Sequence, residues 1–191
     1  KPRAASLVES LRAFGYDLGS AIADLVDNSI SAKATTIRID FTWDGTASTI
    51  SVGDNGKGMD KKALRSAMRL GSRNPNELRG GHDLGRFGLG LKTASFSQCR
   101  CVTVISKTNG GDESVMRWDL DHLSHKDAWH VLLSTRDGAM ADRVGLKKLK
   151  SGTLVLLQDL DRVSGIPKKD VAGSKESFMR QCEEVEEYLS L

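Results

Sequence analysis

The chain predicts an α+β domain: a two-layer sandwich with helices on one face of a mixed, mostly antiparallel sheet. Three observations lead there. Apolar residues recur at helical spacing through much of the first half, whereas the stretch after Cys99 turns to strand-like runs. That segregation marks α+β rather than alternating α/β folds. At 191 residues, with 39% hydrophobic and 28% charged content, a single domain over residues 1–191 can bury its own core. No apolar run approaches the roughly 20 residues that a bilayer span requires, and no signal-peptide pattern opens the chain.

Ser6-Leu7-Val8-Glu9 has the form of a capping box and would start a first helix that Gly15 ends. Ile22, Leu25, Val26 and Ile30 place a second helix over Leu18 to Ser31. Ile37, Ile39 and Phe41 alternate within Thr35 to Trp43, a strand, and a turn at Asp44-Gly45 leads to another over Thr49 to Val52. Lys61 to Leu70 reads as a short amphipathic helix. Gly71 to Gly85 is polar, carries Pro75 and Gly80-Gly81 and has no periodicity; a loop of that length in a compact domain is usually functional. Helical character resumes over Phe87 to Phe96. Strand candidates follow at Val102 to Ile105, Ser114 to Leu120, Trp129 to Ser134 and Thr153 to Leu157, with a polar connection over Asp137 to Lys150. A last helix covers Glu176 to Leu189, a trailing segment (174–190) beyond the motifs, which lie within 18–157.

Several function classes fall away on composition. A net charge of +3 does not argue for nucleic acid by itself, and Lys147-Lys148 and Lys168-Lys169 read most simply as solvated loop clusters. Cys99, Cys101 and Cys182 are odd in number and irregular in spacing, which fits reduced thiols in a cytoplasmic protein; Cys99 and Cys101 would share one strand face. The four histidines and the cysteines make no zinc spacing. The first residue is Lys1, so the chain reads as the N-terminal part of a longer protein.

Three segments carry chemistry. Asp24 and Asn28 are four apart on the second helix and share a face. The amide oxygen of Asn28 suits Mg²⁺, which takes hard oxygen donors and keeps several waters, and the Asp24 carboxylate suits a general base for water. A solvated helix pair explains the same residues when they are taken alone. Asp54-Asn55-Gly56-Lys57-Gly58-Met59 follows a strand. Its glycines allow close backbone approach to a flat ligand, and its carboxylate can accept from an exocyclic amine; an ordinary Asp-Asn-Gly turn is the alternative. Gly85, Gly88 and Gly90 precede Leu91-Lys92-Thr93 at a helix start, where backbone N–H groups meet phosphate. Leu91 stands where a P-loop needs Gly, and no strand directly precedes, so the segment reads as a phosphate-covering lid. Arg86 and Lys92 add positive charge to it. Gly152-Thr153 then opens an apolar strand.

In this order the motifs resemble the GHKL ATPase superfamily, which includes DNA gyrase, heat-shock chaperone, histidine kinase and MutL ATP-binding domains. Ala21 through Thr35 is similar to the MutL and MORC branch, and Gly88-Leu89-Gly90-Leu91-Lys92 looks closer to MORC. The resemblance implies a Bergerat-type sandwich that binds ATP with Mg²⁺. It implies Asn28 as metal ligand and Asp54 as reader of the adenine amine, with Ala32, Gly56, Gly58, Met59 and Thr153 around the base. Gly85, Arg86, Gly88, Gly90, Leu91, Lys92 and Thr93 would meet the phosphates. It further implies lid closure, an ATP-dependent homodimer and coupling to downstream domains of the same chain; nucleic acid enters only by analogy with the family, and no membrane is expected. The family's usual base is Glu, whereas Asp24 stands here, so slow hydrolysis and nucleotide-gated switching without turnover both stay open. A histidine kinase catalytic domain is a third reading, disfavoured by the MutL-like helix.

Overall fold

The computed structural model describes residues 4–12, 17–69, 90–136, 146–163 and 171–190. Five strands form one sheet: β1 (Ile37–Thr42), β2 (Thr49–Asp54), β3 (Cys101–Lys107), β4 (Ser114–Asp119) and β5 (Gly152–Gln158), in the order β1-β2-β5-β3-β4. β1 with β2 and β3 with β4 are local antiparallel pairs. β5, last in sequence, lies between them and pairs antiparallel with both β2 and β3. The sheet, expected to be mostly antiparallel, is antiparallel throughout its described strands.

The register stacks side chains into rows across the sheet. Phe41, Ile50, Leu157, Val102 and Trp118 form one row, and Ile39, Val52, Val155, Val104 and Met116 the next. Both rows belong to or pack on the main core. The row beyond runs Ile37, Asp54, Thr153, Ser106, Ser114. It is polar at every strand but β1, and it forms one end of the helix-facing floor.

The described α-helices are α1 (Ala4–Arg12), α2 (Leu18–Ser31), α3 (Lys61–Met68), α4 (Gly90–Gln98), α5 (Leu120–Lys126) and α6 (Val171–Leu189). α2 packs against α4 and α6. It starts at Asp17, whose Oδ1 accepts from Ser20 N at 2.7 Å, a side-chain cap for an orphan N–H. Ile22 and Leu25 are buried from this helix, each side chain worth about 1.5–3 kcal/mol of burial. The inward stripe then continues with Ser29 rather than the expected Ile30, which is 48% exposed. α2 closes by a paired turn: Lys33 N donates to Ile30 O, and Ala34 N to Ser29 O. Lys33 sits at φ 62°, the left-handed residue of a Schellman-type end.

Three expectations are corrected. α1 is helical from Ala4, so Ser6 lies inside it and forms no capping box; Glu9 instead pairs with Arg12 and Arg100. Trp129 to Ser134 is not a strand. Asp119 caps α5 through His122 N and turns the chain off the sheet, and the return makes only one bridge, Arg117 with Leu132. Cys99 joins the main core, whereas Cys101 Sγ meets Gln158 on the opposite sheet face, so the two thiols do not share a side. All three cysteines are free and buried. Among the described residues no helix is long and apolar enough to cross a membrane.

Candidate functional site

The polar row and the C-terminal end of α2 meet at Asp54. This last residue of β2 is 7% exposed. Its Oδ1 accepts from Gly56 N at 2.8 Å and its Oδ2 from Ser29 Oγ at 3.1 Å. Burial pushes the carboxyl above its ordinary value, against the Gly56 N–H, the Ser29 hydroxyl and the Thr153 backbone, all of which favour the charged form. A buried carboxylate with these partners still has lone pairs for a ligand donor. Thr153 is its direct cross-strand neighbour on β5.

The chain after β2 is fastened from several sides. Asn55 Oδ1 accepts from both Thr35 N and Thr36 N at 2.9 Å, and its Nδ2 donates to Thr35 Oγ1. Lys57 N donates to Ala32 O. Gly56 lies against Ala32, where a Cβ would come within 2.9 Å of the Ala32 methyl. Gly58 sits at φ +66°, and a Cβ there would fall 1.8 Å from Lys107 O, so only glycine fits between this turn and the end of β3. Met59 N donates to Ser106 Oγ at 2.8 Å. The structure thus brings Ala32, Asp54, Gly56, Gly58, Met59 and Thr153 together.

On α2, Asp24 is half-buried and Asn28 exposed, one turn apart. Asn28 Nδ2 donates to the Asp24 carbonyl at 2.8 Å, a bond that does not use Oδ1. Among the described residues no group of three or more His, Cys, Asp or Glu could hold a metal. The donor set here is one amide oxygen, which fits a cation that completes its shell with waters and phosphate oxygens, as Mg²⁺ does, and not a metal caged by protein alone.

Gly90 is the first residue of α4. Leu91 packs on the main core and Thr93 is half-buried beside it, so Leu91 contributes packing where its side chain is concerned. Lys92 lies in the same helix. Gly85, Arg86 and Gly88 lie outside the described residues, as does most of the polar connection over Asp137 to Lys150.

Residues that the motif reading passed over are Ser29, Asn55 as a side chain and Ser106. Ser29 carried a signal, since it extends the inward i, i+3, i+4 stripe of Ile22 and Leu25. Ser106 carried none, because its neighbours come from β5 and from the turn after β2.

The fold and this site define a class of protein. Residues 16–153 match the family of histidine kinase-, DNA gyrase B-, and HSP90-like ATPases. The chain belongs to that family, and membership supports ATP as its ligand. It is 30% identical over 108 residues to "ATPase morc-1" of Caenorhabditis elegans, covering 56% of this chain and 12% of that protein. It is 30% identical over 137 residues to "Chaperone protein HtpG" of Bacillus licheniformis, covering 68% of this chain and 21% of that protein. It is 35% identical over 97 residues to "Protein MICRORCHIDIA 5" of Arabidopsis thaliana, covering 47% and 13%. The matched stretches thus span about an eighth to a fifth of the length of these relatives.

Proposed function

We propose that this domain is an ATP-driven conformational switch that binds Mg-ATP, closes a lid over the phosphates, dimerises and hydrolyses ATP slowly. The observation that carries the reading is Asp54: a buried carboxylate at the end of a polar sheet row, supported by Gly56 and Ser29 and beside Thr153. That geometry suits an exocyclic amine, with Ala32, Gly56, Gly58 and Met59 walling the base. Asn28 Oδ1 would ligate Mg²⁺, which when bound neutralises phosphate charge. Asp24, one turn earlier, would orient and deprotonate the attacking water.

The phosphate end rests on sequence: Gly85, Arg86 and Gly88 ahead of Gly90, Leu91, Lys92 and Thr93 at the start of α4, where helix N–H groups favour anions. Homodimerisation, coupling to downstream domains and contact with nucleic acid are carried by the family resemblance alone. A cytoplasmic site is supported by the three unpaired thiols. A second reading, a nucleotide-gated module with little turnover, is favoured by the short carboxylate at position 24.

Calorimetric titration with ATP, with and without Mg²⁺, and sedimentation of the ATP-bound chain test the proposal. Asn28→Ala should weaken Mg-ATP binding while leaving Mg-free ATP unaffected. ATP binding that ignores both Asp54→Asn and Asn28→Ala would place the nucleotide elsewhere.

A further inference from the structure

Ser106 is fully buried on β3, in the polar row next to Thr153. Its hydroxyl has three partners: Met59 N at 2.8 Å, Gly152 O at 3.0 Å and Thr153 Oγ1 at 2.8 Å. A hydroxyl has one proton and two lone pairs. The Gly152 carbonyl can only accept, so it takes the Ser106 proton. The Met59 N–H can only donate, so it fills one lone pair. The third contact must then run from Thr153 to Ser106. Thr153 thereby spends its proton inside the protein, and its Oγ1 offers only lone pairs beside Asp54, its cross-strand neighbour.

We propose that Ser106 is a positioning residue that sets base selectivity by holding Thr153 as an acceptor. The inference rests on the nucleotide reading above and extends it to a residue that would touch no ligand atom. With Asp54 ionised and Thr153 proton-committed, the base end of the site presents acceptors only. It favours a purine with an amine at its 6-position. It disfavours a 6-oxo purine, whose carbonyl would face lone pairs with no hydroxyl free to turn toward it.

The test is the ratio of ATP to ITP affinity, measured by calorimetry on the purified chain, because loss of packing alone would weaken both nucleotides alike. Ser106→Ala releases the Thr153 proton, and the ATP-over-ITP preference should fall by about tenfold, the scale of one hydrogen bond. Ser106→Thr keeps the hydroxyl and should keep the preference. In Ser106→Ala with Thr153→Val no hydroxyl remains to turn, and the gain of ITP should vanish. Should Ser106→Ala not fold, Ser106→Cys gives the same readout, since sulfur is a weak donor and acceptor. An unchanged ratio in folded Ser106→Ala or Ser106→Cys, beside normal ATP binding by the parent chain, overturns this proposal alone. A parent chain that binds neither nucleotide overturns the nucleotide reading and this proposal with it.

Discussion

Asp24→Glu is expected to accelerate ATP hydrolysis. The carboxylate at position 24 is one methylene shorter than the Glu that the family resemblance implies, a retraction of about 1–1.5 Å. The backbone cannot make up the difference. α2 runs without interruption from Leu18 to Ser31, its start is held by Asp17, its end by the paired turn at Lys33 and Ala34, and its middle by Asn28 Nδ2 on the Asp24 carbonyl. A misplacement near 1 Å costs about a hundredfold in rate, or about 2.7 kcal/mol of barrier. The assay is single-turnover phosphate release from Mg-ATP bound to excess protein, with ATP affinity measured alongside. Asp24→Glu should raise the rate by up to about a hundredfold, and Asp24→Asn should lower it below the parent. A parent-like rate in Asp24→Asn would refute Asp24 as the base. An unchanged or slower rate in Asp24→Glu would refute side-chain length as the limit.

Two further outcomes concern the base end and the helix end. Burial places the Asp54 pKa above the ordinary 3.8, so its ligand-accepting form is lost as pH falls through that raised value. Affinity for adenosine, which has no titrating phosphate, should drop there, and Ser29→Ala should move the midpoint to higher pH because the Ser29 hydroxyl holds the pKa down. The effect on stability has the opposite sign: this contribution is full below 3.8 and is lost as pH rises through the folded value, since the ionised carboxyl is costly to bury. A midpoint that does not move in Ser29→Ala would count against Asp54 as the titrating group. Lys33→Gly should stabilise the domain by about 0.5–1 kcal/mol: the left-handed conformation costs a side-chain-bearing residue about 1–2 kcal/mol, less the chain entropy of glycine. Urea unfolding reads this directly, and destabilisation would show that the Lys33 side chain contributes more than its strained backbone costs.

What the sequence made legible was local. The strands β1 and β2 and their turn follow from the alternation of Ile37, Ile39 and Phe41 and from Asp44-Gly45, and α2 follows from its apolar stripe. The placement of β5 between β2 and β3 did not follow, because every partner of Gly152–Gln158 is distant in sequence and its apolar run would suit any interior position. α5 was missed although Asp119 and the Leu120/Leu123 spacing are a legible helix start; the alternation of Ser114 to Leu120 masked the cap. Within the site, Asp54, Gly56 and Gly58 announced themselves because Asp-Asn-Gly chemistry is local. The reason Gly58 must be glycine did not, since the obstructing atom is the Lys107 carbonyl. Ser29 and Ser106 are single hydroxyls whose meaning depends on register.

This arrangement makes binding and turnover separable by mutation. The base end is built from groups that hold one another: Asp54 with Gly56 and Ser29, Ser106 with Met59, Gly152 and Thr153, and Asn55 with the chain entering β1. Removing the Asp54 or Ser106 side chain strands a buried donor or acceptor at a cost of about 1–3 kcal/mol, so substitutions there strike stability and affinity together. Asn28 is exposed and Asp24 half-buried, on a helix whose ends are anchored by Asp17 and by the paired turn at Lys33 and Ala34. Exchanges at these two positions leave the core of Ile22 and Leu25 untouched and should change folding little. A variant set at Asp24 and Asn28 can therefore report on chemistry and metal without the confounding loss of fold that the sheet floor imposes. Hydrolysis and switching, the two readings left by the short carboxylate, are separable on that face of α2.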